Sequence, residues 1–292
     1  MIQGTYYKEW SSVLNREMEF KVYGSAGVPV LALPARGGRF YDWENNGMPD
    51  AIAQLLNEGK VQLFCADSID GEAVLNGDAP VRRRAEMEEK YFVYLTAELA
   101  PRVLALNGAA KDTRLWCVGI DLGAVHAVNC RLRRPEVFGG AIRLSGLYDM
   151  SRFLGSAEDD LVLRNAPLAY LTETGLVDKK AFAKAEENDL ILCAGQGSYE
   201  EEAQADTRAL SEALTAAGAE LVPFSPLHDA ALPPELGGLY LPGGYPELHA
   251  ARLAANAPMR TVIKAAVESG LPTVAECGGF LYLQESMTGA DG

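Results

Sequence analysis

Histidine is scarce in this chain, with 3 in 292 residues. Any chemistry that needs an imidazole base must draw on His126, His228 or His249. The five cysteines, Cys65, Cys117, Cys130, Cys193 and Cys277, are widely and irregularly spaced. They form no CxxC pair and no His/Cys cluster of zinc type, so no metal is expected. Four of them lie in apolar runs and read as reduced packing residues; Cys277 is the exception. No apolar run approaches the ~18 residues that a membrane span requires, and the start of the chain lacks a basic stretch followed by an apolar one. No GxxxxGK[ST] phosphate loop occurs, and no cofactor is expected. Basic residues are in deficit, 26 Lys and Arg against 40 Asp and Glu, a net charge of −14. A chain so acidic repels a phosphate backbone, which argues against a nucleic-acid partner. These absences lead to the expectation of a soluble, cytoplasmic protein with a small-molecule substrate. The acidic clusters at 86–89 and 200–202 read as solvated helix faces.

What is present is a regular alternation. Hydrophobic residues make up 48% of the chain, enough for one large core or two modest ones. Short apolar runs predict strands at 19–23, 29–33, 61–66, 115–119, 140–144, 190–194, 220–224, 238–241 and 273–275. Amphipathic stretches between them predict helices at 48–58, 85–100, 123–134, 203–217, 246–255 and 258–269. Such interleaving indicates an α/β fold, with a mainly parallel sheet covered by helices on both faces. In that architecture sites form at the carboxyl ends of strands, where the chain turns into the next helix.

The first such turn is LWCVGIDLGAVH (115–126). Gly119 and Gly123 flank Asp121 in a G-x-D-x-G pattern, the spacing of a nucleophile elbow, in which small residues let a strained central residue project above the sheet. The following helix would aim its N-terminus at the site. From about residue 6 to 218 the chain resembles esterases of the α/β-hydrolase fold. The matching pieces are LPARGGRFY (33–41), QLFCADS (62–68), HAVN (126–129), RPEVFG (134–139), SGLYD (145–149) and NAP (165–167). The resemblance implies an ester substrate and places Gly37 and Gly38 in the oxyanion loop. It also implies Ser at the elbow, where this chain has Asp121. A carboxylate cannot do the work of a serine alkoxide in acyl transfer, because attack on an ester would give an anhydride. Other α/β-hydrolases carry Asp at the elbow and attack an sp³ carbon, with a His base for the second step. For that chemistry the candidates here are Asp121, a Glu among 200–202, and His228 in SPLHD (225–229). His126 reads as a packing residue.

A second turn carries Cys277. From residue 219 the text changes to ELVPFSPLHDAALP (220–233), LYLPGGYPEL (239–248), LAAN (253–256) and AECGGFLYL (275–283). This stretch resembles the class I glutamine amidotransferase domain of cobyrinic acid a,c-diamide synthases, a flavodoxin-like fold. The resemblance implies that Cys277 attacks the side-chain amide of glutamine. A thiol at a helix N-terminus is biased toward thiolate. Gly243 and Gly244 could present backbone N–H groups to the oxyanion, and Gly278 lets substrate approach the backbone. Residues 278–292 contain no His to serve the Cys, so the fragment reads as truncated. The two patterns meet within 210–222.

The expected organisation is therefore an esterase-like domain at 1–218 and a partial amidotransferase domain at 219–292 that continues the same sheet. Three functions stay open: an impaired or inactive hydrolase, a glutaminase component that depends on a synthetase partner, and a non-catalytic binding protein. Unpaired sheet edges near the end of the fragment would favour homo-oligomers.

Overall fold

The computed structural model describes residues 2–155, 159–174, 190–193, 201–216, 222, 224–234, 236, 239–241, 249–269, 271, 273–275 and 282–283. Seven strands form one mixed sheet: β1 (Thr5–Ser11), β2 (Arg16–Tyr23), β3 (Val28–Leu33), β4 (Val61–Ala66), β5 (Leu115–Ile120), β6 (Phe138–Leu144) and β7 (Leu190–Cys193). Their spatial order is β1-β2-β4-β3-β5-β6-β7. The first two pairings, β1 with β2 and β2 with β4, are antiparallel, and every later one is parallel.

The central strands follow from their composition. VPVLAL and VQLFCA are nearly continuous apolar runs, as expected of strands covered on both sides. Leu31 and Leu33 face one core, while Ala32 between them faces another. All three are fully buried, and each leucine contributes about 1.5–3 kcal/mol by leaving water. The expected strands lie within β2 to β7 with small shifts at their ends, although residue 194 lies outside the described residues. β1 was not anticipated. It is an edge strand, TYYKEWS, with Tyr6 and Trp10 exposed, so it carries no apolar run to read.

Helices cover both faces. Three short turns, α1 (Asp42–Asn45), α2 (Met48–Ala51) and α3 (Ala53–Asn57), replace the single helix expected at 48–58 and pack Trp43 and Leu56 against one face. On the other face lie α4 (Val81–Val93), a π-helical turn (Tyr94–Leu99) and α5 (Ala100–Asn107). Pro101 sits at the start of α5 and cannot donate to the preceding turn, which accounts for the irregular winding there. The run ends at Gly108 in the left-handed conformation. Next comes α6 (Leu122–Arg133), buried along most of its length. Around it pack α7 (Ser151–Leu154), α8 (Asp160–Arg164), α9 (Pro167–Ala169) and Leu210 of α10 (Glu201–Ala216).

Beyond α10 two strands, β8 (Leu239–Leu241) and β9 (Thr273–Ala275), pair in parallel. Between them lie α11 (Ala250–Ala255) and α12 (Ala257–Glu268). Leu239, Leu241, Met259 and Ile263 form their core. β8 approaches β7, but among the described residues no ladder joins them. Of the strand expected at 220–224, residues 220, 221 and 223 lie outside the described residues. Among the described residues no helix is long and apolar enough to cross a membrane.

The β5–α6 junction is the tightest place in the fold. A Cβ added at Gly119 would lie 2.0 Å from the carbonyl oxygen of Gly123, and one added at Gly123 would lie 2.3 Å from that of Pro34. Both obstacles are backbone, so neither can move aside cheaply. Gly119→Ala and Gly123→Ala should each destabilise the protein by more than about 2 kcal/mol in urea unfolding, well beyond an ordinary surface substitution.

Candidate functional site

The tight junction fixes Asp121. It lies between β5 and α6 with φ 55° and ψ −115°, a strained combination for a residue with a Cβ. Its N–H donates to the Leu144 carbonyl at the end of β6, and its carbonyl accepts from Ala124 N–H in the first turn of α6. The side chain is thereby pushed out above the carboxyl ends of the strands.

There it meets the loop that follows β3. Arg36 donates from Nε to Asp121 Oδ2 at 2.5 Å and from Nη2 to Oδ1 at 2.9 Å. The Arg36 backbone N–H also points at Oδ2, at 3.2 Å. The carboxylate is thus held by a two-pronged ion pair and an amide from the same residue. The Arg36 side chain is 50% exposed and that of Asp121 15%. Asp121 is the foremost cause of a raised pKa at Arg36, with burial opposing it and Glu202 adding to the field.

This alters the expected oxyanion donors. Gly37 N–H is turned to Asp70 Oδ2 at 2.9 Å, and Gly38 N–H to the Ala35 carbonyl at 2.9 Å. The loop amide that faces the elbow belongs to Arg36. Gly37 has φ +65°, and a Cβ on Gly38 would lie 2.7 Å from the Ala35 carbonyl oxygen, so both glycines shape the loop. Asp67 ties down its far side, accepting from Arg39 Nε at 2.9 Å and Phe40 N–H at 2.8 Å. Burial raises the Asp67 pKa, and Arg39 partly offsets this.

Behind the loop lies a buried charge cluster. His126 on α6 places Nε2 3.0 Å from Asp70 Oδ1 and Nδ1 3.0 Å from Glu88 Oε1. All three side chains are at most 4% exposed. The His126 ring also packs edge-on against Tyr91. Burial lowers the His126 pKa, but Glu88 and Asp70 together outweigh it and hold the ring well above the ordinary 6.5. His126 is therefore more than a packing residue. The acidic cluster at 86–89 is likewise not one solvated face. Glu86 lies beside Arg82 and Arg83 at the surface, while Glu88 is buried on His126 and Glu89 grips Arg133. In a helix these neighbours point in different directions, and the partners on α6 select which ones turn inward.

The remaining candidates fall elsewhere. His228 is exposed; its Nδ1 lies 3.0 Å from Ser225 Oγ and its Nε2 2.9 Å from Arg252. Both ring nitrogens are thus engaged away from Asp121. His249 is exposed just before α11 and makes no capping bond. Glu201 and Glu202 open α10, with Glu202 3.5 Å from Arg152, whose other branch binds Asp206 at 2.7 Å. Glu200, Gly243, Gly244, Cys277 and Gly278 lie outside the described residues. Cys65, Cys117 and Cys130 are buried free thiols. Sequence reasoning missed Arg36, Asp70 and Glu88. Only Arg36 left a trace, as one of two arginines flanking the glycine pair after a buried strand.

Removing the imidazole leaves two carboxylates buried without their cation. His126→Ala should therefore cost about 3–5 kcal/mol in chemical denaturation. The folded pKa of His126 stands above 6.5. Its contribution is thus complete below about pH 6.5 and declines as pH rises through the folded value. The Tm gap between wild type and His126→Gln should narrow steadily from neutral to alkaline pH.

Comparison with known proteins bears on the family and the fold. Residues 211–292 match the model of the CobB/CobQ-like glutamine amidotransferase domain. Cobyrinate a,c-diamide synthase of Dehalococcoides mccartyi is 51% identical over 74 residues, 25% of this chain and 16% of that protein. The Methanosarcina barkeri enzyme of that name is 58% identical over 80 residues, 27% of this chain and 16% of that protein. The chain thus spans only 16% of the length of these curated relatives. Among solved structures, a ferulic acid esterase superposes with a TM-score of 0.55 at 16% identity, covering 74% of this chain and 86% of that one. The S-formylglutathione hydrolase of Staphylococcus aureus superposes with a TM-score of 0.51 at 13% identity, covering 88% of this chain and 95% of that one. At such identities the likeness shows the fold alone. Residues 11–222 match the family model described as "Putative esterase", and the two family matches overlap within 211–222. The chain belongs to that esterase family and carries an amidotransferase-like segment joined to it.

Proposed function

We propose that the esterase-like domain does not turn over esters and serves as a closed polar site on a retained hydrolase scaffold. The observation that carries this reading is the grip of Arg36 on Asp121, two side-chain bonds and one amide bond on a single carboxylate. Acyl transfer needs a nucleophile freed by a base and empty donors waiting for the oxyanion. Here the elbow side chain is an anion already neutralised. Its own oxygen occupies the loop amide that a developing oxyanion would use. Among the described residues no histidine is bonded to Asp121, and His228 is held by Ser225 and Arg252. Those facts also weigh against a working catalytic set of Asp121, a Glu among 200–202 and His228.

In this reading the division falls at 1–218 and 219–292, and the second segment keeps a separate chemistry. Cys277 is its candidate nucleophile, with Gly243, Gly244 and Gly278 as backbone donors and close-approach positions. The identity of this stretch to cobyrinate a,c-diamide synthases favours glutamine as the substrate of that second site. The ammonia released there would serve a synthetase.

Purified protein should hydrolyse p-nitrophenyl acetate no faster than buffer, and Asp121→Ala should change nothing. Turnover by the wild type that Asp121→Ala abolishes would overturn the inactive reading. For the second segment, a glutamine-analogue diazoketone should label Cys277 as found by peptide mass spectrometry. An exposed Cys277 thiol that stays unlabelled would sink the glutaminase assignment.

A further inference from the structure

Asp70 is fully buried, and its two oxygens do different work. Oδ1 faces His126 Nε2 at 3.0 Å, and Oδ2 accepts Gly37 N–H at 2.9 Å. Gly37 adjoins Arg36 and holds φ +65°. The bond from Asp70 therefore fixes the backbone one residue from the clamp. Glu88 holds the other side of the imidazole, and its second oxygen has no hydrogen-bond partner among the described residues. The groups facing His126 are Glu88 and Tyr91 from α4 and Asp70 from the segment after β4. A carboxylate oxygen 3.0 Å from each ring nitrogen suits an imidazolium that donates to both. The Arg36–Asp121 pair is different in kind. One partner is half in solvent, so alone it contributes only on the order of 1 kcal/mol. An interaction that weak closes the site only if its loop is already held in place.

We infer that His126 and Asp70 are positioning residues for the loop at 34–41, so that the buried Glu88–His126–Asp70 cluster sets whether Arg36 closes over Asp121. The inference rests on the proposed closed state of the elbow and names what regulates it. Loss of the imidazolium charge, or of the Asp70 acceptor, frees Gly37, lets Arg36 swing into solvent and uncovers the Asp121 carboxylate.

Two readouts on the full chain test this. The first is amide exchange at residues 36–38. The second is labelling of Asp121 by a water-soluble carbodiimide with an amine, quantified by peptide mass spectrometry. Asp70→Ala should speed Gly37 exchange by at least about tenfold and raise Asp121 labelling toward the level of Arg36→Ala. Protection in β4 and β5 should stay intact. Asp70→Asn has one acceptor oxygen for two donors, Gly37 N–H and His126 Nε2. Its Gly37 exchange and Asp121 labelling should therefore fall between those of the wild type and Asp70→Ala, a graded response that a general loss of packing would not give. Folded Asp70→Ala protein with wild-type exchange and labelling would overturn the inference. If Arg36→Ala itself fails to raise Asp121 labelling, the closed-site reading falls, while Gly37 exchange still decides the role of Asp70. Should Asp70→Ala not fold, the wild type suffices. Its His126 ring should show both nitrogens protonated by ¹⁵N NMR at neutral pH, with a slowly exchanging Gly37 amide. A singly protonated ring, or a Gly37 amide exchanging like an open loop, would refute the arrangement.

Discussion

The close approach of α6 to the ends of β5 and β3 governs the rest of the structure. It exists because Gly119 and Gly123 leave no Cβ between backbones that nearly touch. With the helix seated that closely, the connecting residue has few conformations left, and Asp121 takes a strained one with positive φ. That strain lifts its side chain above the sheet and turns it toward the loop after β3. The same seating brings His126, one turn further along α6, beneath that loop. The exposed carboxylate and the buried imidazole are thus two consequences of one backbone contact. Both bear on the same loop, Asp121 through Arg36 and His126 through Asp70.

Given this frame, the chemistry depends on what stands at the elbow. A neutral hydroxyl needs a base to become a nucleophile and finds empty donors around it. A carboxylate arrives charged and draws the nearest cation. Arg36 is that cation, and its fork matches the carboxylate geometry well enough to engage both oxygens. The pairing is cheap to form because Arg36 stays half in solvent and gives up little hydration. A buried guanidinium would have to be desolvated first. The elbow thus holds a charged side chain and its counter-ion within one tight turn.

Much of this was legible in the sequence, for identifiable reasons. The central strands are apolar on both sides, so composition alone marks them, and the two glycines around Asp121 announce the turn. β1 was invisible because an edge strand alternates Tyr, Lys, Glu and Trp and buries little. The helical run from residue 81 was readable, but its π-helical turn was not, since one proline does not say whether a helix stops or only slips. The site was the least legible part. Glu88 stands among three other acidic or polar positions and looks like solvated surface. Only the arrival of His126 from a different helix makes it an inward-facing partner. Arg36 and Asp121 are far apart in sequence, and nothing local to either one predicts their pairing. Charge pairs between elements are set by tertiary packing, and a single sequence carries little trace of them.

The junction of the two family patterns obeys the same logic. The matches overlap at 211–222, on the end of α10 and just beyond it. Leu210 of that helix packs into the core around α6, so the helix belongs structurally to the esterase side. Past it, β8 and β9 bury a small core of Leu239, Leu241, Met259 and Ile263. β8 in turn approaches β7 of the first sheet. The two glycines, the buried imidazole and its two carboxylates are the contacts that hold the elbow in place.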